Sequence, residues 1–352
     1  QARDAKEFLK NIKSSEGYIF LDDYRLGNTW KKIVKKSKFK LIYLSDKIEK
    51  EKIADFVINY KINANEIEKR IKYNEKTKYL LGTKYALIED QKSNSKNKFA
   101  KFNIVLYLGG SGDLKILKNL AHAISALFKR KRERKILIKV IVGPLMRNSD
   151  CLKSISKENN YIELIRNEQN LIGIYKRSQL FIGSSGTSVY ETNYANIPTV
   201  LFKYAKNQDD TIENLEKLGH FIHLRNKEFQ NYKKVAELTY LIFKNYRRIK
   251  NLTKLRKVKI DGSGTKRVFS EIFKKKHKFK KKLLEKKKDS KLKFRKALDS
   301  DLNKILFLRN QKQNRLSSLN NKVIDNLDHY IWWFKSKRSF YLMYHQNLVL
   351  MS

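Results

Sequence analysis

Between Phe102 and Leu224 the chain repeats one pattern: a short apolar run, a polar or glycine-bearing turn, then a stretch with helical periodicity. The runs are Phe102 to Leu108, Ile136 to Val142, Tyr161 to Ile165, Leu180 to Ile182, Thr199 to Phe202 and Phe221 to Leu224. Runs this short and this apolar are buried on both faces, as the strands of a parallel sheet are. In the intervening segment Leu114 to Lys129, Leu117, Leu120, Ala121, Ile124 and Leu127 recur at helix spacing. Six strands joined by crossover helices predict a doubly wound α/β domain. An earlier, less complete version of the rhythm runs from Tyr18 to Ala86, with strand candidates at Tyr18 to Leu21, Leu41 to Leu44 and Phe56 to Ile58.

Composition narrows the class. The chain has 352 residues, 41% hydrophobic and 12% aromatic, which suffices for two cored domains and excludes collagenous, mucin-like and wholly disordered chains. No apolar run approaches the roughly 20 residues of a membrane span, and Gln1 to Leu9 is too charged for a signal peptide. A cytoplasmic protein is expected. The single cysteine, Cys151, excludes an internal disulfide framework and a thiolate zinc cluster. No feature sets the oligomeric state.

Lysine and arginine exceed the acids by 79 to 35, a net charge of +44. The segment Lys274 to Lys293 holds 12 lysines and two acids, net +10, so +34 remains spread over the rest. A diffuse excess in a chain rich in Lys, Ile and Asn reads as compositional drift. The rival reading, a basic nucleic-acid-binding protein attached through Lys274 to Lys293, has charge in its favour but no motif, and no specific nucleic-acid partner is expected.

Two loops carry the chemistry. Strand Phe102 to Leu108 runs into Gly109-Gly110-Ser111-Gly112-Asp113 and a helix. Leu180 to Ile182 runs into Gly183-Ser184-Ser185-Gly186-Thr187-Ser188 and a helix bearing Glu191. Glycines let backbone N–H groups approach phosphate oxygens, and a helix N-terminus adds partial positive charge. A carboxylate one turn into the second helix accepts both hydroxyls of a ribose while the loops hold a diphosphate. A nucleoside diphosphate fits this arrangement. The alternatives are tight turns without a ligand, with Glu191 on a solvated face or serving as a helix-dipole partner.

In this order, Leu80-Leu81-Gly82-Thr83-Lys84-Tyr85-Ala86-Leu87, the Gly109 loop, Gly183 to Glu191, Ile197-Pro198, Asn207-Gln208 and Ile260-Asp261-Gly262-Ser263-Gly264 resemble one nucleotide-sugar family. It is the UDP-2,4-diacetamido-2,4,6-trideoxy-β-L-altropyranose hydrolases of pseudaminic acid biosynthesis, and Asp22-Asp23-Tyr24 with Trp30 fits its first domain. The resemblance spans roughly residues 4 to 272. It implies a GT-B architecture of two Rossmann-like domains with doubly wound parallel sheets, the first of them truncated. It also implies metal-free, inverting hydrolysis of a UDP-sugar at the anomeric carbon. A GT-B glycosyltransferase using a UDP-sugar donor is the alternative. By position, Gly109, Gly110, Ser111, Gly183, Ser184, Ser185, Gly186, Thr187 and Ser188 would hold the diphosphate and Glu191 the ribose. Asn207 and Gln208 would face sugar or phosphate, and Tyr24 would lie near the reacting centre, its alternative being a partly buried tyrosine at a strand end. The family's GxGHxxR motif with its water-activating histidine is missing, and none of the six histidines replaces it. A fragment lacking the first half of its N-terminal domain, able to bind UDP but with negligible turnover, is therefore expected.

The tail resembles a second family. Phe294-Arg295-Lys296-Ala297, Asp301-Leu302, Arg309-Asn310, Arg315, Ser317 and His329 with Trp332-Trp333-Phe334 are similar to the opening of a GNAT N-acetyltransferase, an α+β unit that would use acetyl-CoA. Core packing is the expectation for Tyr330 to Phe334. The expected boundaries are 1–98 for the first Rossmann-like domain, 99–273 for the UDP-binding domain, 274–291 for a basic linker and 292–352 for a partial acetyltransferase. The polar stretch Asp90 to Lys98 is read as an interdomain linker.

Overall fold

The computed structural model describes residues 1–23, 25–46, 53–64, 76–88, 100–146, 156–157, 159–204, 208, 211–225, 228–273, 293–316, 321–336, 340–345 and 348–351. The linker expected at 90–98 and the lysine-rich segment up to 292 lie outside the described residues. Contacts divide the chain into two units, Gln1–Asp90 with Ile260–Phe279 and Gln91–Lys259 with Lys280–Ser352. This division departs from the expected boundaries at two places, and each has a packing cause.

In the first unit, β1 (Glu16–Leu21), β2 (Lys38–Leu44), β3 (Phe56–Asn59) and β4 (Lys78–Leu81) form a parallel sheet in that order. Helices α1 (Ala2–Asn11) and α2 (Asn28–Lys35) share a core with Ile19, Leu21, Leu41 and Val57. Trp30 is buried there, its Nε1 donating to Asp4 Oδ1 at 2.7 Å.

The sheet's other core holds Ile42, Ile58, Leu80 and Tyr85 together with Val268 and Ile272. A helix placed by sequence with the second domain (Gly264–Phe273) thus belongs to the first. Close backbone approach explains the fit: a Cβ on Gly264 would lie 1.8 Å from the Ala86 carbonyl oxygen, so only glycine allows the helix to start there. Arg267 Nη1 donates to Lys84 O at 3.0 Å and to Asp261 Oδ1 at 2.9 Å, and Lys78 Nζ donates to Glu271 Oε2 at 2.7 Å. Two motifs far apart in sequence, residues 80–87 and 260–264, are therefore one structural joint.

In the second unit, β5 (Phe102–Tyr107), β6 (Ile136–Val142), β7 (Ile162–Arg166), β8 (Leu180–Ser184), β9 (Thr199–Phe202) and β10 (Ile222–Leu224) form a parallel sheet ordered β10-β9-β8-β5-β6-β7. Renumbered within the unit, that is the doubly wound order 3-2-1-4-5-6 seen from its far edge. The order reverses between β5 and β8, where Tyr107 pairs with Gly183. Between the strands run α3 (Leu114–Arg130), α4 (Leu171–Lys176), α5 (Ser188–Ala195) and α6 (Ile212–Lys217). After β10 come α7 (Tyr232–Lys244) and α8 (Tyr246–Lys254). Phe128 of α3 meets Tyr240 and Phe243 of α7 edge-on, each at 5.4 Å.

The tail begins with β11 (Lys293–Lys296) and α9 is the Gly264–Phe273 helix that precedes it; α10 (Leu302–Asn310), α11 (Lys312–Leu316) and α12 (Asn326–Lys335) follow. Strands β12 (Tyr341–His345) and β13 (Leu348–Met351) complete an antiparallel sheet ordered β11-β12-β13. Leu302, Ile305, Leu327, Tyr330, Trp333 and Phe334 enter the core that also holds Ile222, Leu224 and Val235. A buried polar joint accompanies it. Asn303 Nδ2 donates to Phe221 O and to Glu216 Oε1, both at 2.8 Å, and Tyr330 donates its hydroxyl to Asn303 Oδ1 at 2.6 Å. Asn326 Nδ2 donates to His223 O at 2.7 Å, and Arg248 grips Asp299 through Nε and Nη2 at 3.0 and 2.6 Å. The aromatic run 330–334 is core as expected, but that core is continuous with the Rossmann sheet.

Candidate functional site

Both glycine loops leave the carboxyl ends of adjacent strands at the point where strand order reverses. In open α/β sheets this reversal point is where a crevice forms and ligands bind. The first loop needs its glycines for geometry. Gly109 has φ +89°, and after β6 a Cβ on Gly143 would lie 2.4 and 2.5 Å from the carbonyl oxygens of Gly109 and Gly110. Leu145 N then donates to Gly110 O at 2.9 Å. Asp113 caps α3, its Oδ1 accepting from Lys115 N at 2.7 Å.

The second loop is tighter. A Cβ on Gly183 would lie 2.0 Å from Tyr107 O, so β5 and β8 meet in a way that a side chain would prevent. Ser184, Ser185 and Ser188 are buried. Ser185 N donates to Phe202 O at 3.0 Å, while its buried Oγ has no hydrogen-bond partner among the described residues. A buried hydroxyl without a partner costs about 1–3 kcal/mol, and a bound anion or polar ligand would remove that cost. Gln208 lies beside this loop: its Oε1 accepts from Tyr204 N at 2.9 Å, and its Nε2 is 3.3 Å from the Cβ position of Gly186.

Glu191 is in the first turn of α5 and half-buried. Burial pushes its carboxyl up to about 7, and no cation is paired with it among the described residues. Two buried phenols share its surroundings. Tyr107 at the end of β5 is raised by burial and by the Glu191 charge; Tyr175 of α4 is raised well above its ordinary value by burial, then by Glu191 and Tyr107. Tyr175 packs edge-on against Phe181 of β8 at 5.3 Å.

The far end of α5 is fixed by cations that suit a helix C-terminus. Arg256 Nη1 donates to Asn193 O at 3.0 Å and to Asn196 Oδ1 at 2.8 Å, and Lys250 Nζ donates to Asn196 O. Asn193 Nδ2 donates to Leu218 O at 2.7 Å and to Val258 O at 2.9 Å. The loop that precedes α5 is thereby presented from a rigid helix.

Of the residues singled out by sequence, Gly109, Gly110 and Ser111 stand at the end of β5, and Gly183, Ser184, Ser185, Gly186, Thr187, Ser188 and Glu191 at the end of β8, with Gln208 adjacent. Tyr24 and Asn207 lie outside the described residues. Sequence reading missed Gly143, Tyr107 and Tyr175. Tyr107 offered a signal, being the polar-tipped residue that closes an otherwise apolar strand before Gly109-Gly110. Among the described residues, His122, His220, His223 and His329 make no contact with the two glycine loops. His220 is held by Thr199 Oγ1 and Val189 O at 3.1 and 2.7 Å, and burial lowers His220, His223 and His329 to about 4. His122 is exposed on α3.

Among the described residues no group of three or more His, Cys, Asp or Glu is placed to hold a metal ion, and no helix is long and apolar enough to cross a membrane.

No protein-family model matches the chain. An uncharacterized protein of Methanocaldococcus jannaschii is 27% identical over 245 residues, covering 62% of this chain and 49% of that protein. The chain therefore spans about half the length of this curated relative. Among solved structures, the S. aureus MnaA–UDP co-structure is similar with a TM-score of 0.53 and 15% identity, over 77% of this chain and 78% of that one. The calicheamicin glycosyltransferase CalG4 is similar with a TM-score of 0.50 and 10% identity, over 77% and 75%. At these identities the likeness is one of fold. The fold class is the α/β, parallel-sheet, Rossmann-like architecture of GT-B proteins, as expected from sequence.

Proposed function

We propose that the second unit binds the UDP part of a nucleotide sugar at the β5/β8 crevice, and that the protein acts on the sugar as a GT-B enzyme. The observation that carries the reading is the pairing of two glycine loops at the strand-order reversal, with a buried Ser185 hydroxyl in the second loop that has no partner among the described residues and Glu191 one turn into α5. In this reading, backbone N–H groups of 109–111 and 183–188 hold the diphosphate. The same groups, with the α5 N-terminus, stabilise the charge that grows on UDP as the anomeric bond breaks. Glu191 accepts the ribose hydroxyls, and Gln208 and Asn207 contact phosphate or sugar.

Transfer of the sugar to an acceptor is the reaction we favour, because a glycosyltransferase and a UDP complex are among the proteins that share the fold. Hydrolysis is the second reading. Its support is the ordered motif series, two members of which, residues 80–87 and 260–264, form one joint in the first unit. The acetyltransferase resemblance of the tail finds no fit for acetyl-CoA: that cofactor's pyrophosphate needs a glycine-containing loop, and the chain has no glycine after Gly264.

The test is calorimetric titration of the whole chain with UDP, beside Glu191→Ala and a short oligonucleotide at two salt concentrations. Binding of UDP that weakens at least tenfold in the variant supports the reading. Absence of UDP binding overturns it. UDP release from a UDP-sugar in water alone assigns hydrolysis; release only with an added acceptor assigns transfer.

A further inference from the structure

The cations of the second unit are unevenly placed. Several are matched by carboxylates: Arg248 by Asp299, Lys234 by Asp328, Lys335 by Glu237 and Arg295 by Asp301. Where α3 ends and β6 begins the balance fails. Residues 129–135, Lys-Arg-Lys-Arg-Glu-Arg-Lys, hold six exposed cations and one acid, Glu133. Neighbouring elements add three more. Phe102 N donates to Lys135 O at 2.7 Å, which sets the exposed Lys101 beside this turn. Lys244 Nζ, at the end of α7, lies 3.6 Å from Glu133 Oε1, and Tyr246 packs edge-on against Phe102 at 5.2 Å, which brings in the exposed Arg247. Glu133 is thus taken by Lys244, and the other eight cations have no carboxylate partner among the described residues.

Compositional drift does not account for this cluster. The chain favours lysine, 61 against 18 arginines, yet three of the 18 stand at 130, 132 and 134. Arg132 has φ +55°, in the turn that ends α3, where Glu133 N donates to Phe128 O at 3.0 Å. Glycine or asparagine is the usual occupant of such a position, and an arginine there gives up backbone stability to keep a guanidinium on the surface.

We infer that this basic surface docks the protein on an anionic lipid bilayer. What the surface lacks separates a bilayer from other polyanions. Nucleic-acid phosphates are gripped by backbone N–H groups, helix N-termini and hydroxyl or amide side chains, and single strands stack on free aromatic rings. Here the helix end is a C-terminus, and 129–135 contains no Ser, Thr, Asn or Gln. The nearby rings are engaged, Tyr240 by Phe128 at 5.4 Å and by Lys131 Nζ at 5.6 Å, and Tyr246 by Phe102. What remains is positive charge on long side chains. Lipid headgroups diffuse in the plane and meet such charges at any spacing, and a cluster of roughly four to eight cations suffices. No large exposed hydrophobic residue falls within 127–135 or 244–247, so the contact is electrostatic and reversible. The first glycine loop leaves the other end of β5, about 20 Å away at about 3.3 Å per residue, so docking leaves it open to ligand.

The experiment is flotation of the whole chain with phosphatidylcholine vesicles, plain or with about 30% phosphatidylserine, at about 0.1 M and 0.5 M salt. The surface variant combines Arg130→Gln, Lys131→Gln, Arg134→Gln and Lys135→Gln, all at exposed positions, and an unchanged thermal midpoint checks its fold. A control removes the same charge from the lysine-rich segment by Lys274→Gln, Lys275→Gln, Lys276→Gln and Lys278→Gln. Wild type and control should bind the anionic vesicles alone and release them at the higher salt. At about fivefold in partitioning for each cation near the surface, the surface variant should bind on the order of a hundredfold or more weakly. A second measurement needs no variant: amide exchange at residues 129–135 slows when anionic vesicles are added. Failure of the wild type to bind them overturns the inference. So does a surface variant that binds as the wild type does, or a control that loses as much, which places the attraction in the lysine-rich segment. Tighter binding to a duplex oligonucleotide than to vesicles, lost in the surface variant, overturns it in favour of nucleic acid.

Discussion

Replacing Asn303 by alanine should loosen the tail from the Rossmann unit. Asn303 is 7% exposed and makes three hydrogen bonds, to Phe221 O, Glu216 Oε1 and the Tyr330 hydroxyl. Glu216 is half-buried and regains water, so its lost bond costs little. The buried Phe221 carbonyl is left without this partner, whereas the Tyr330 hydroxyl keeps longer contacts with His223 N and O at 3.4 Å, so at about 1–3 kcal/mol for a buried group left unsatisfied the loss is about 1–3 kcal/mol. That is a large share of the roughly 5–15 kcal/mol available to a domain. Two of the chain's three tryptophans, Trp332 and Trp333, lie on α12, so their fluorescence in urea reports this joint. The midpoint should fall by about 1 M for a slope of about 2–3 kcal/mol/M. A cycle with Tyr330→Phe should return a coupling of about 1 kcal/mol or more. A loss below about 0.5 kcal/mol, or strict additivity, would refute the account of the joint as a closed polar network.

Two further outcomes follow from the geometry. Gly183→Ala must displace either the second loop or the Tyr107 carbonyl, since its Cβ would sit 2.0 Å from that oxygen; UDP binding should fall beyond detection by calorimetry, and retained affinity would refute the assignment of that loop. Acid should destabilise the second unit. His220, His223 and His329 drop from the ordinary 6.5 to about 4 on folding, so between those values the unfolded chain binds more protons and stability falls as pH falls. Glu191, raised to about 7, and Glu216 and Glu228, also raised by burial, act in the opposite sense, so the balance is a loss on the order of 1–2 kcal/mol between pH 7.5 and 5.5. Urea unfolding at pH 7.5 and 5.5 measures it, and equal stabilities would contradict the neutral, buried state of these imidazoles.

What sequence revealed was what is local. The runs at 102–108, 136–142, 161–165, 180–182 and 199–202 became strands within a residue or two, because a buried parallel strand announces itself by apolar content alone. The glycine loops were equally plain, since their constraint lies in their own backbone. What stayed hidden depends on partners distant in the chain. Gly264 reads as a turn residue until the Ala86 carbonyl is seen against it, and Arg267 bonds across 183 residues to Lys84. Strand β4 was read as part of a motif rather than as a strand. The tail misleads by its pattern: on α10 the polar Asn303 is buried and Phe307 is 65% exposed, the reverse of what amphipathic periodicity predicts. Such a helix buries side chains to make hydrogen bonds, and no periodicity registers that. Tyr107 and Tyr175 were missed for a related reason: as aromatic residues in apolar surroundings they read as core, and their relation to Glu191 is electrostatic.

The return of α9 to the first unit has a consequence for synthesis. The four described strands of that unit are complete by residue 81, but Val268 and Ile272, which share a core with Ile42, Ile58 and Leu80, come only after β5 to β10 have been made. At about 5–20 residues per second the sheet waits roughly 10–40 s for its covering helix. During that interval one face of it is open to chaperones or to other nascent chains. The first unit, whose strands are made early, is thus sealed only after the strands of the second have been made.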